Sequence, residues 1–176
     1  EALGILIVKS AEEIQKAIKA INKFNSEFDE DIAYLARGAG TGLSGGAIGD
    51  GRTVIISIAA LNKILDIDEI NQKALIETGL VNSHLSQKTK KFSLQFSPDP
   101  SSQDSCTIGG NIAENAGGIH CYKNGVSSDQ VLGIEYVNDK GELCYLGEMN
   151  RENKSSSIDL AKFFSGSEGT FGIITK

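Results

Sequence analysis

The residues best suited to chemistry in this chain are ones without a side chain. The segment Arg37-Gly38-Ala39-Gly40-Thr41-Gly42-Leu43-Ser44-Gly45-Gly46-Ala47 follows an apolar run. Backbone N–H groups in such a turn can converge on an anion, because glycine has no Cβ to block them. Thr41 and Ser44 add hydroxyl donors, and Arg37 either offsets negative charge or ties the loop down. Gly40, Gly42 and Gly45 satisfy G-x-G-x-x-G, but the residues after Gly45 are poor helix formers. The first acidic residue after Arg52 is Asp66, which is misplaced for a dinucleotide-binding Rossmann unit. A phosphate-binding Walker loop fails too, since Gly46 and Ala47 stand where Lys and Ser/Thr are needed.

Two further segments have the same character. Ser97-Pro98-Asp99-Pro100-Ser101-Ser102 is followed by Thr107-Ile108-Gly109-Gly110-Asn111-Ile112-Ala113-Glu114-Asn115-Ala116-Gly117-Gly118. The prolines preset φ, and Gly109-Gly110 precedes a short helix whose N-terminal amides can face an anion. Asn111 and Asn115 either donate to ligand carbonyls or cap local backbone. The third segment is Gly166 to Thr175, in which Glu168 is either a turn anchor or a contact to a polar ligand edge. Together the three point to a long ligand threaded between two lobes and held mainly by backbone. FAD is such a ligand, its ring tuned by main-chain and hydroxyl groups near N1 and N5.

These loops need elements to hold them. Leu3 to Val8 reads as a strand, and Ser10 with Glu13 three residues on reads as a capping box. Ile14, Ala17, Ile18 and Ile21 then give a helix one apolar face. Strands follow at Ile32–Ala36, apolar enough to be buried, and at Thr53–Ile58. Leu61–Leu65 reads as a helical turn, Leu65–Asp68 and Ala74–Glu77 as strands, and Leu85–Lys90 as a helix capped by Asn82 or Ser83. Gly109–Asn115 is a short helix, and Val131–Val137 and Glu142–Tyr145 form a hairpin around Asp139-Lys140-Gly141. Residues 147–157 read as polar and mobile, Leu160–Phe164 as a helical turn, and Gly172–Thr175 as a strand. The pattern is α+β.

Composition excludes several functions. The 176 residues carry 17 basic and 23 acidic side chains, a net charge of −6 that repels phosphate backbones. Only Lys88, Lys90 and Lys91 cluster and there is no Trp, so no nucleic-acid partner is expected. No apolar run is long enough to cross a bilayer. The scattered Cys106, Cys121 and Cys144 suggest buried thiols in a reducing, cytoplasmic compartment. His84 and His120 lack evident partners and read as structural, so neither catalytic nor metal-ligating residues are assigned.

The strings RGAGTGLSGGA (37–47), SPDPSS (97–102), TIGGNIAENAGG (107–118) and GSEGTFGIIT (166–175) resemble the FAD-binding domain of the vanillyl-alcohol oxidase/PCMH superfamily. Within it the likeness is to the branch that holds a glycolate oxidase subunit and D-lactate dehydrogenase. The resemblance implies a two-lobed PCMH-type fold, with residues 1–77 and 78–176 as approximate lobes and a substrate cap following this domain. It places Gly38 to Gly42 and Ser44 at the pyrophosphate and Gly79 near the adenine. Pro98, Asp99 and Ser102 lie by the flavin, and Thr107, Gly109, Gly110, Asn111, Asn115, Gly117 and Gly118 form its wall. Ile173 meets adenosine through its backbone. Thr78, Leu80, Asn124 and Ile158 depart from the pattern of the branch. The implied activity is oxidation of a small 2-hydroxy acid to the 2-oxo acid, with hydride passing to flavin N5. The catalytic base belongs to the cap, so the isolated domain is expected to be inactive. Alternatives are a flavin-holding protein for assembly or electron transfer, or an oxidase for another alcohol. Partner subunits including an iron–sulfur protein, and through them a peripheral place at the inner membrane, are further implications.

Overall fold

The computed structural model describes residues 1–149 and 159–176. The expected polar stretch 147–157 lies mostly outside them. Strand β1 (Gly4–Ile7) leads into helix α1 (Ala11–Phe28) and then β2 (Ala33–Arg37). Both strands pair in parallel with β3 (Thr53–Ser57), which sits between them, so that Ile5 and Leu35 flank Ile55. The expected capping box forms only in part at the start of α1, because Glu13 reaches the amide of Lys9 rather than that of the N-cap Ser10. The Glu13 N–H donates to the Ser10 hydroxyl oxygen at 3.3 Å, and the Lys9 N–H donates to the Glu13 carboxylate at 2.7 Å. Helix α1 ends at Asp29, a non-glycine residue in the left-handed region.

The apolar face of α1 places Ile14 and Ile18 in a core with Val8, Ile56, Ile58 and Leu61. Full burial of each isoleucine is worth about 1.5–3 kcal/mol. Strand β2 differs from expectation. It is an edge strand whose residues are half-buried or exposed, because α1 covers one face and only β3 pairs with it.

Residues 61–63 are irregular rather than helical. The chain enters β4 (Ile64–Asp68), which pairs antiparallel with β5 (Lys73–Ile76) across a bulge between Ile64 and Asp66. Helix α2 (Asn82–Thr89) has Val81 at its N-cap and no side-chain cap. Asn82 lies inside the first turn and is buried, and its amide donates to the Pro98 carbonyl at 2.9 Å. A short 3₁₀ turn follows at Lys90–Phe92.

After α3 (Ile108–Glu114) come two single turns, α4 (Cys121–Asn124) and α5 (Ser127–Gln130). Strand β6 (Gly133–Val137) pairs antiparallel with β7 (Leu143–Gly147) and with β8 (Ile173–Ile174), with α6 (Leu160–Phe163) before the last. This sheet explains how the halves join. Ile134 and Val137 alternate on β6, and they belong to different cores. Val137 and Ile173 join the core under α1. Ile134 and Ile174 join a second core with Leu80, Leu85, Ile108, Ile112 and Phe164. Helix α1 also reaches the β6–β7 turn directly, where the Gln15 amide donates to the Gly141 carbonyl at 3.0 Å and that of Asn22 to Asp139 at 2.7 Å. Among the described residues no helix is long and apolar enough to cross a membrane.

Candidate functional site

The three glycine-rich segments line one groove. One wall is the loop after β2, with Gly38, Ala39, Gly40, Thr41 and Gly42. The opposite wall is Ser102, Thr107 and the groove side of α3, with Gly109, Gly110 and Asn111. Glu168, Gly169 and Ile173 close the end, around a cavity of about 160 Å³.

The loop after β2 has an unusual backbone. Among the described residues, no acceptor receives a hydrogen bond from any amide between Gly38 and Ala47; the next donor is Ile48, to the Gly45 carbonyl. Such amides must find water or a ligand. The two walls approach closely at Gly38, since a Cβ there would stand 2.1 Å from the Thr107 hydroxyl. The Arg37 guanidinium lies against the loop's own turn at Gly40, whose φ is +70°. Ser44 lies at the mouth and donates to the Glu114 carboxylate at 3.1 Å, which ties the loop to the last turn of α3.

The α3 end corrects one expectation. Its first amides are already occupied by protein. The Ile108 N–H donates to the Leu80 carbonyl, Gly109 to Thr78, Gly110 to the Thr107 hydroxyl, and Asn111 to the Thr107 carbonyl. No anion can be held there by the helix terminus, so α3 contributes shape and side chains instead. The side chain of Asn111 is the notable one. It lines the groove and is 2 % exposed, yet its Nδ2 has no acceptor. A buried amide donor left unmade costs about 1–3 kcal/mol. Cys106 lies behind it, its thiol pushed up by burial, against which the Ser102 and Asn111 side chains act. Cys121 is exposed and Cys144 half-buried, so only one of the three thiols fits the expectation of burial.

The remaining sites hold the walls. Asn115 ends α3 in the left-handed region, and its side-chain oxygen accepts from the Ser128 N–H at 2.9 Å. It thereby ties the end of α3 to the start of α5. Gly79 lies outside the groove but lines an adjoining pocket. Pro98 is fully buried, and Gly118 packs against the Asp99 backbone. Gly117 packs on Cys121 and Val126. Thr78, one of the departures from the family pattern, is fully buried, and its hydroxyl donates to the Ile174 carbonyl at 2.6 Å, pinning β8 beside the groove.

Glu114 is not legible in the sequence as a site residue, the two alternatives for Glu168 stay open there, and the partner of His120 is not visible in it. Glu114 falls on the groove face of α3, a helical step beyond Gly110 and Asn111. Glu168 has φ +52°, and its N–H donates to the Ala113 carbonyl at 2.9 Å, so it anchors a turn while its side chain faces the loop. His120 does have an acidic partner, because its Nδ1 pairs with the Asp99 carboxylate and clamps the 97–102 turn to the end of the wall. The His120 hydrogen bond holds the Asp99 carboxyl below its ordinary value. That contribution to stability is fully present above the unfolded carboxyl value of about 3.9 and is lost as pH falls through the folded value. Asp99→Asn is expected to flatten the acid side of the stability profile, read from urea midpoints at about pH 7 and about pH 3. Identical slopes in the two proteins would contradict this.

Comparison with known proteins agrees with this geometry. A family described as "FAD binding domain" matches residues 2–147. Glycolate oxidase subunit GlcD of Escherichia coli (strain K12) is 42 % identical over 145 residues, covering 82 % of this chain and 29 % of the relative. A D-lactate dehydrogenase of Anaerostipes hadrus is 38 % identical over 167 residues, covering 95 % and 34 % respectively. A solved structure of alkyldihydroxyacetonephosphate synthase superposes with a TM-score of 0.80 at 26 % identity, covering 97 % of this chain and 30 % of that one. The chain thus spans about a third of the length of the proteins it matches.

Proposed function

Because the chain belongs to the FAD-binding domain family, we propose that its groove cradles the diphosphate of FAD within a two-lobed oxidoreductase of small 2-hydroxy acids. The observation that carries this reading is the run of unpartnered amides from Gly38 to Ala47, most of it opposite a wall that holds Asn111, whose buried Nδ2 is unpaired. A nest of that kind, close to the Arg37 guanidinium, fits a doubly charged linker. Thr41 adds a hydroxyl donor; Thr107 and Ser102 face it, and the small residues Gly109 and Gly110 keep the wall thin. Asp99, His120 and Gly118 fix the 97–102 turn that ends this wall. Gly79 and Ile173 extend the cradle toward its ends.

When bound, FAD supplies the two-electron acceptor for oxidising the alcohol carbon of the acid. This chain's own share is to bind, orient and exclude water. The relatives' names support glycolate or D-lactate as the substrate class. The division near residue 77, a substrate cap beyond this domain, partner subunits such as an iron–sulfur protein, and a peripheral membrane location all belong to the same proposal. GlcD is itself named as a subunit.

The test is cofactor discrimination. The chain is expected to retain FAD, seen by the visible flavin bands and by release of FAD on denaturation. Riboflavin lacks the diphosphate and is expected to bind at least about a hundredfold more weakly, the worth of two or so charge-assisted hydrogen bonds. Equal affinity for the two would overturn the reading.

A further inference from the structure

The parallel sheet has two edges, and they are built differently. Strand β2 forms one, half-buried over most of its length, and the loop that lines the groove leaves from it. Strand β1 forms the other. It pairs with β3 alone, so its outer edge carries no strand. Along it Glu1, Leu3, Ile5, Ile7 and Lys9 are all exposed, the three apolar ones at 57 %, 61 % and 68 %. At the two-residue period of an extended chain they share one face. An exposed apolar edge is a template for another strand, and proteins that keep such an edge unpaired place a lysine, a proline or a bulge in it. Residues 2–8 contain no charged residue and no proline, and the register of β1 on β3 is unbroken.

The pattern is self-complementary. When β1 is laid antiparallel on a second copy with Ile5 opposite Ile5, Leu3 meets Ile7 and Glu1 meets Lys9. An acid then faces a base at each end of an apolar stretch. Cross-strand pairs of these kinds are favourable, and like charges in the same places are not. Neither Glu1 nor Lys9 has an ion partner among the described residues. We propose that β1 pairs antiparallel with β1 of a second copy of this chain, about a two-fold axis at Ile5, joining the sheets of the two copies into one. Such a contact uses the same patch on both copies and closes on itself, so it yields a dimer and no fibre. It lies at the edge opposite β2, which keeps both grooves open.

Sedimentation velocity of the 176-residue chain at rising concentration tests this. The mass is expected to grow from one chain to two and stop there. Ile5→Lys sets two lysines against each other at the axis and is expected to weaken the dimer at least about tenfold. Ile5 belongs to neither core, so circular dichroism and FAD retention should not change. Lys9→Glu leaves an acid facing an acid at both ends and should weaken the dimer about tenfold. Adding Glu1→Lys restores opposite charges in reverse and should recover the association of the parent. The proposal is overturned by a chain that stays single at every concentration, by growth beyond two copies, or by an Ile5→Lys variant that associates like the parent. It is equally overturned if the double variant associates no better than Lys9→Glu alone. None of these outcomes touches the cofactor reading, which is judged by riboflavin against FAD.

Discussion

Gly79→Ala is expected to cost more than about 3 kcal/mol, a large fraction of the total stability of a domain. The reason is steric and lies entirely in backbone. A Cβ at this position would stand 2.0 Å from the Ile58 carbonyl oxygen and 2.7 Å from that of Leu61. Neither can swing away as a side chain does. The Ile58 carbonyl also accepts from the Leu61 N–H at 2.9 Å, so moving it breaks the turn that leaves β3. Ile58 and Leu61 are both in the core under α1, while Leu80, the next residue, is in the other core. A methyl group here therefore pries at both cores at once. Gly4→Ala is the matched control, because nothing lies within 4 Å of a Cβ there. Urea midpoints of the two variants check the claim, and a Gly79→Ala protein within about 0.5 kcal/mol of the parent would refute it.

This position also shows what the sequence could and could not disclose. Gly79 stood out as a site glycine through family likeness, but the reason for glycine is a carbonyl contributed by a residue more than twenty positions away. Local signals served well where the cause was local. Ser10 and Glu13 cap their own helix, and the turn at Asp139-Lys140-Gly141 closes its own hairpin. The gathering of three glycine-rich segments was legible because each carries a composition that an ordered chain tolerates poorly without a ligand. Long-range partners were not. The amides of α3 looked available for an anion, yet Thr78 and Leu80 fill them from a separate strand exit. His120 looked unpartnered because Asp99 is distant in sequence. Strand β6 read as one arm of a hairpin, and only the structure shows that its two faces serve two cores. His84 read as structural on a helix; it lies exposed on α2, where it lines a pocket assembled from four separate stretches of chain.

Asn111→Leu is expected to have opposite effects on the free and the loaded protein. In the free protein the Asn111 amide is buried with its Nδ2 unmet, and the site bears the desolvation cost of about 1–3 kcal/mol without a return. A leucine of similar size removes that unmet group and packs beside Ile108 and Ile112, which are already core residues. Stability of the flavin-free chain should hold or rise by about 1 kcal/mol. Binding of FAD should weaken by about tenfold to a hundredfold, because an unmet donor in the groove wall is gone. The extra stability conferred by saturating FAD then shrinks by the same free energy. Urea unfolding without flavin, and fluorescence titration with it, measure the two halves separately. A variant that loses stability yet binds FAD as tightly as the parent would show that Asn111 holds up the wall and has no part in gripping the ligand.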